Sequence, residues 1–225
     1  MIEWEKKWGL QYGFGATEAA KKYGKMGFSC DGQGIYLENV NFGSNNWTIE
    51  FWAYCPYMAS FNSSSLPGLF CCWNSSTNRY IGLNWNSQFT FTDTNPASQW
   101  GNVIFGGDLN GTAGYGNNIQ GFGNMDKKWH HYAFVKYGSS VYVYFDGSRK
   151  LDNATGGCDI GYSFTYVTFS FDMMNPSVCL PTGAYMDEIR ISKIARYTGS
   201  SYSVPSGKQG YDSNTLYYCP FDLDE

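Results

Sequence analysis

Asp187 and Glu188 stand next to each other in AYMDEIRISKIARYTG, Ala184 to Gly199, inside a run that otherwise has the composition of a β-strand. Adjacent carboxylates could act as an acid/base pair, as metal ligands or as buried structural acceptors. Strand geometry narrows this, because successive side chains point to opposite faces and two neighbours cannot flank one glycosidic bond. A retaining pair needs its carboxyls about 5 Å apart at one site, which in a strand means positions i and i+2, or two different strands. Glu50, with a partner from another strand, is the remaining candidate for a hydrolytic carboxylate. By parity Asp187 joins Ile189 and Ile191 on the core side, where an ionised carboxylate needs hydrogen bonds or a cation. Glu188 is then expected to face outward with Arg190 and to form an ordinary surface pair.

The other groups capable of chemistry are sparse. The two histidines, His130 and His131, are adjacent and have no Cys or acid beside them in sequence, so a core or sheet-face role is the better reading. Seven cysteines show no CxxC spacing, which speaks against zinc, and Cys71-Cys72 lies in the apolar run LFCCW, which points to buried thiols and not to a redox pair. GFGATE lacks the strand-Gly-helix context of a phosphate loop. Sequons begin at Asn46, Asn62, Asn74, Asn110 and Asn153, and without a secretory signal they are read as by-products of Asn/Ser/Thr-rich loops.

Composition bounds the function classes. Formal net charge is -4, pI is about 5.2, and no run of Lys or Arg occurs, so nucleic-acid binding, which needs a basic face, is not expected. No segment approaches the ~18 apolar residues of a membrane span. MIEWEKKWGLQYGFG has no apolar stretch of the signal-peptide kind, so synthesis and folding in a cytosol are expected. The length, 225 residues, suits a single domain over 1–225.

The elements that must position these residues are almost all strands. WTIEFWAYC, Trp47 to Cys55, alternates, placing Trp47, Ile49, Phe51, Ala53 and Cys55 on a core face and Thr48, Glu50, Trp52 and Tyr54 on the other. Further strands are expected at Arg79–Trp85, Gln88–Asp93, Trp129–Tyr137, Val141–Gly147, Tyr166–Phe171, Met186–Ile191 and Thr215–Phe221. TEAAKKYGK, from Thr17, is the one short helix the sequence supports, ended by Gly24. GSS, Gly138 to Ser140, reads as a hairpin turn whose register puts Ala133 and Val135 with Val141, Val143 and Phe145 in the core. Asn95 to Asn124, rich in Gly and Asn, reads as a long functional connection. Short strands with turn signals between them are the pattern of an all-β sandwich or barrel.

Three stretches carry a family likeness: KYGKMGFSCDGQGIYLE followed by NWTIEFWAY, then KKWHHYAFVKYGSSVYVYFDGSRK, then YMDEIRISKIARYTG. In this order and spacing the chain, from about Lys22 to Tyr197, resembles the laminin-G-like, concanavalin A-like jelly-roll domains, and its IARYT ending resembles versions found in bacteriophage structural and tail-associated proteins. The resemblance implies an all-β, two-sheet antiparallel jelly-roll sandwich with at most one short helix. It also implies a structural calcium held by Asp187 and the early loop CDGQG, hence Asp31; the competing reading is that Asp187 caps backbone N–H groups of that loop. Glycosidases of this fold carry an ExDxxE-like strand, and this chain has none.

Aromatic residues make up 19% of the chain. Trp52 and Tyr54 lie opposite the core parity of their strand, and Trp73, Trp85, Trp100 and Tyr115 fall in or beside expected loops; flat rings near Asn, Asp and Gln suit sugar rings, and suit protein interfaces equally. The sequence therefore leads to a non-enzymatic virion-surface protein, a capsid decoration or tail/fibre-associated module, that attaches to host-surface glycans without nucleic-acid or membrane partners. Two alternatives stand beside it: a purely structural assembly or decoration protein that contacts capsid or tail proteins or its own copies as a homo-oligomer, and a glycoside hydrolase.

Overall fold

The computed structural model describes residues 16–17, 22–23, 27–29, 34–54, 68–74, 79–86, 100–107, 115–119, 128–153, 161–170 and 184–221. Along the chain the strands are β1 (Ala16–Thr17), β2 (Gly27–Ser29), β3 (Ile35–Asn41), β4 (Trp47–Tyr54), β5 (Gly68–Asn74), β6 (Arg79–Asn86), β7 (Trp100–Gly107), β8 (Tyr115–Ile119), β9 (Trp129–Tyr137), β10 (Ser140–Phe145), β11 (Ser148–Asn153), β12 (Ser163–Phe169), β13 (Tyr185–Ser192) and β14 (Thr215–Cys219). They form an eight-stranded sheet in the order β1-β2-β13-β4-β9-β10-β11, with β14 also on β13, and a six-stranded sheet in the order β3-β12-β5-β6-β7-β8. The assigned strand pairs are antiparallel, as in β4 with β9 and β12 with β5.

The inner faces of the two sheets close one apolar core. Ile49, Phe51, Phe134, Val143 and Ile191 from the larger sheet meet Leu37, Phe70, Cys72, Val167 and Phe169 from the smaller one. At one corner Trp47 stands edge-on to Phe42 and Phe164, 5.3 and 5.9 Å away, and its indole N–H donates to the Gly161 carbonyl at 2.9 Å. The ring is thus fully buried with its polar atom satisfied.

Several sequence expectations change here. Asn95–Asn124 contains two strands, β7 and β8; WGNVIFGG and YGNNI are too rich in Gly and Asn to signal a strand alone and are held by pairing with β6 and with each other. Ile35–Asn41 and Gly68–Asn74 are also strands. Asn39, at φ +51°, breaks the alternation of the first of them. Among the described residues there is no helix: Ala16–Thr17 is a strand and Lys22–Tyr23 a bend, while the rest of Thr17–Lys25, like Gln88–Asp93, lies outside them.

The hairpin register also differs by one step. Ser140 pairs with Tyr137, so Tyr142 faces Val135 and Tyr144 faces Ala133, while Val141 and Val143 pair with Lys136 and Phe134. Tyr132 and Phe134 therefore share the main core with Val141 and Val143, whereas Ala133 and Val135 turn to the outer face beneath Tyr144. A turn shorter by one residue moves the whole side-chain set of a strand across the sheet.

The most consequential change is in β13. Asp187 pairs with Trp52 and Arg190 with Glu50, so Glu188 and Ile189 together oppose Phe51, a β-bulge with Glu188 at φ +53°. The extra residue lets Met186 and Ile189 both reach the core. Asp187 and Glu188 are left on the same, outer face, contrary to simple alternation.

Candidate functional site

Outside the larger sheet the chain adds a third layer. Residues 193–214, between β13 and β14, cross its outer face, where Ala195, Tyr197 and Tyr202 pack on Ala133, Val135 and Tyr144. Thr48 Oγ1 donates to the Ile194 carbonyl at 2.8 Å, and the Tyr144 hydroxyl donates to Gly199 O at 2.7 Å. Gly147 accepts from Tyr202 N at 2.8 Å and locks the layer to the β10–β11 turn.

The polar groups of this face are sealed beneath that layer. Glu50, 0% exposed, accepts from Arg190 Nε at 2.9 Å and Nη2 at 2.7 Å through Oε1, and from the Tyr197 hydroxyl at 2.6 Å through Oε2. His131, also fully buried, meets the Tyr202 hydroxyl at 2.6 Å through Nδ1, and burial drives its imidazole down to about 3. The Tyr197 and Tyr202 rings stack at 3.6 Å, and burial holds both phenols well above their ordinary range. Glu188 is not a surface group: it is 0% exposed, accepts from Gln209 N and the Tyr218 hydroxyl, both at 2.7 Å, and leaves Arg190 to Glu50. The carboxylates Glu50 and Glu188 and the Arg190 guanidinium are each hydrogen-bonded by the chain itself, so the layer is a clamp.

Asp187 ties the early chain to β13. Its Oδ2 accepts from the backbone N–H groups of Lys22 and Tyr23 at 2.7 and 2.9 Å, and its Oδ1 from that of Glu188 at 2.8 Å. Burial pushes the carboxyl up to about 7, partly offset by these hydrogen bonds. Three N–H dipoles occupy most of a carboxylate's roughly four acceptor positions. The donor set therefore suits backbone capping and does not fit a calcium ion, although the capped residues are Lys22 and Tyr23, upstream of the CDGQG loop. Asp31 lies outside the described residues, among which no group of three or more His, Cys, Asp or Glu could hold a metal. The melting temperature is expected to be the same in chelator and in excess calcium; a rise with calcium would require a site for it, since a ligand bound only by the native state stabilises that state.

The aromatic candidates separate by face. Trp52 lies opposite the core, but it is 6% exposed: Tyr23 and His131 stand edge-on to it at 5.7 and 5.1 Å, and the Lys22 ammonium lies 4.3 Å from its ring. Its own chain occupies the positions a sugar would need, which removes it from the carbohydrate-binding set. Tyr54 is half-buried in a cross-strand row between Trp129 and Tyr185, at 5.8 and 5.5 Å. Trp73 belongs to a strand of the smaller sheet, not to a loop. Its half-buried ring lies 5.0 Å from that of Tyr166, which lies 5.3 Å from that of Tyr36.

These three rings form a ladder across β5, β12 and β3 on the outer face of the six-stranded sheet. Glu38, exposed, pairs with Tyr166 at the end of the row. The backbone row runs on from Trp73 to Tyr80, Gly106 and Tyr115. Trp100 pairs with Asn86 at the start of β7, and Trp85 with Gly101, in the parity of Ile81 and Leu83. Thus Trp73, Trp85, Trp100 and Tyr115 all lie in strands. Sequence reasoning missed Tyr36 and Tyr166; the alternation of Tyr166 with Val167 and Phe169 was the available signal. It also gave His130 no acid, whereas the β10–β11 turn brings Asp146 Oδ2 to 2.7 Å from its Nδ1.

No protein-family model matches the sequence, and no curated protein does. Solved structures do match in fold. The chain aligns over 84% of its length with 43% of the receptor binding domain of botulinum neurotoxin C/D mosaic serotype, at 11% identity and TM-score 0.55. It aligns over 82% with 25% of tailspike protein 2 from an Escherichia coli O157:H7 bacteriophage, at 9% identity and TM-score 0.51. Domains LG4-5 of the mouse laminin alpha1 chain align with 82% of this chain and 46% of theirs, at 12% identity and TM-score 0.47. At these identities the likeness defines the fold class alone: an all-β, antiparallel, two-sheet jelly-roll sandwich.

Proposed function

We propose that this chain is a non-enzymatic glycan-binding module of a virion surface, a capsid decoration or tail/fibre-associated protein, and that the outer face of its six-stranded sheet is the binding face. The observation that carries the reading is the ladder of Tyr36, Tyr166 and Trp73, half-buried rings spaced 5.3 and 5.0 Å apart across neighbouring strands. Flat rings in a row suit the apolar C–H faces of successive sugar units in an extended chain. The non-enzymatic part is supported by the carboxylates of the other sheet: Glu50, Asp187 and Glu188 are all 0% exposed and hydrogen-bonded by their own chain. The resemblance of the IARYT ending to phage structural proteins supports the placement on a virion. A receptor binding domain and a tailspike share the fold, and at their low identity they support the architecture only.

The test is binding of purified, labelled protein to a broad glycan panel and to intact bacterial cells. Saturable binding that a soluble sugar competes away is expected, without release of reducing ends. Absence of binding to every glycan and cell would replace this reading with an assembly or decoration role, and reducing-sugar release abolished in Glu50→Gln would make the chain a hydrolase.

A further inference from the structure

We infer that one end of the sandwich is a self-association surface, at which two copies of this chain meet about a two-fold axis through three uncharged turns. The turns, taken with the strand ends that flank them, are residues 41–46 between β3 and β4, 137–140 between β9 and β10, and 161–163 at the start of β12. Their sequences, NFGSNN, YGSS and GYS, hold only Asn, Phe, Gly, Ser and Tyr. Hydrogen bonds tie them into one surface. Gly138 N donates to Asn46 Oδ1 at 2.8 Å, Phe42 N donates to the Tyr162 carbonyl at 2.8 Å, and the indole N–H of Trp47, which pairs with Lys136, donates to Gly161 O at 2.9 Å. Within the first turn Gly43 N donates to Asn41 Oδ1 at 2.7 Å and Asn46 N to Ser44 Oγ at 3.0 Å. The end is preorganised, so little ordering cost falls due on contact.

The chemistry of this end selects its occupant. Among the described residues three large hydrophobic side chains are exposed, and two of them, Tyr137 at 50% and Tyr162 at 41%, stand here with Asn45 and Ser139 exposed beside them. Tyr gives broad amphipathic contact for few frozen torsions, and Ser, Asn and Gly supply adaptable hydrogen bonds, the composition of protein-binding loops. The turn tips point into open space, since a Cβ added at Gly43 or Gly138 would meet nothing within 4 Å. A small ligand is held in a concave site, whereas projecting tips suit a broad contact with another protein surface. That surface must be as free of charge as these turns, because a charge buried against them would find no counter-charge. The neighbouring Lys136 ammonium is turned inward, 1% exposed and donating to Gly138 O at 2.6 Å. A second copy meets the condition. The chain carries a net charge of -4, so copies repel in general and approach where neither contributes a charge. A two-fold contact sets one patch against itself, and hydroxyls and amides both donate and accept, so this patch is its own complement.

Sedimentation velocity of the full chain over a wide concentration range, at low and high salt, is the test. A shift from monomer to dimer with concentration is expected, at a midpoint that high salt leaves unchanged or lowers, because salt screens only the net repulsion between copies. Tyr137→Ser and Tyr162→Ser should each raise the midpoint concentration about tenfold or more, since each residue enters a two-fold contact twice and truncating an aromatic anchor is costly. Below the midpoint both variants should melt close to the wild type, as both side chains are exposed. A monomer at every concentration, a dimer that survives the double substitution, or a dimer weakened by salt would overturn the inference. So would a monomer whose binding to the glycan panel disappears in the double variant, which would make these turns a sugar site.

Discussion

Replacing Glu50 with Ala is expected to lower the unfolding free energy by about 3–5 kcal/mol, the range for breaking a buried ion pair from one side. Arg190 is only 7% exposed, and its two bonds to Glu50 are its side-chain charge compensation in the clamp; its other partners are the neutral Gln209 and Gly210 carbonyls, at 3.1 and 3.5 Å. The same truncation strips the Tyr197 hydroxyl of its acceptor and leaves the Arg196 guanidinium, 3.7 Å from Glu50, without its buried counter-charge. Urea unfolding followed by tryptophan fluorescence reads the effect as a shift in midpoint with little change in slope. Wild-type stability in this variant would contradict the assignment of Glu50 as a structural carboxylate and reopen it as a candidate for chemistry.

Gly147→Ala is the second large loss. A Cβ at this position would lie 2.4 Å from the Tyr202 carbonyl oxygen and 2.9 Å from Val204 Cγ2, and the residue sits at φ +75°, a left-handed conformation that suits glycine. Backbone strain and overpacking each cost roughly 1–3 kcal/mol, so a total of about 3 kcal/mol or more is expected. Gly43 provides the control, at φ +68° with nothing within 4 Å of an added Cβ, so its Ala variant carries only the backbone penalty, about 1 kcal/mol. Thermal unfolding of the two variants should separate them clearly, and near-ultraviolet circular dichroism should change in Gly147→Ala as the stacked Tyr197 and Tyr202 lose register. Equal melting temperatures would mean that the 193–214 layer does not depend on its contact with the β10–β11 turn.

How much of this was legible depends on whether the information was local. The core face of β4 is local: strict alternation from Trp47 to Ala53 places Trp47, Ile49 and Phe51 inside. The class of fold followed from many such runs and from the order of three motifs. Backbone capping by Asp187 was one of two readings open from the sequence, but the faces of Asp187 and Glu188 were not legible, because alternation holds only in an unbroken strand and the bulge between Asp187 and Arg190 is defined by pairing with β4. Trp52 misled for a different reason. Parity sets the face a residue occupies, not what covers that face, and here Lys22 and Tyr23 cover Trp52 from a distant part of the chain. The Tyr36–Tyr166–Trp73 ladder joins strands far apart in sequence, so only the sheet order brings it together.

The most direct test of the binding-face assignment is a calorimetric titration of the best panel glycan into wild-type protein and Trp73→Ala, with the melting temperature of each recorded alongside. Because Trp73 is half-buried on the outer face and lies outside the main core, the account predicts loss of most of the affinity, of the order of 1–3 kcal/mol for an aromatic stacking contact, with a melting temperature close to that of the wild type. Undiminished affinity in Trp73→Ala would contradict it and move the binding face away from the six-stranded sheet, with the Trp129–Tyr54–Tyr185 row the next surface to vary.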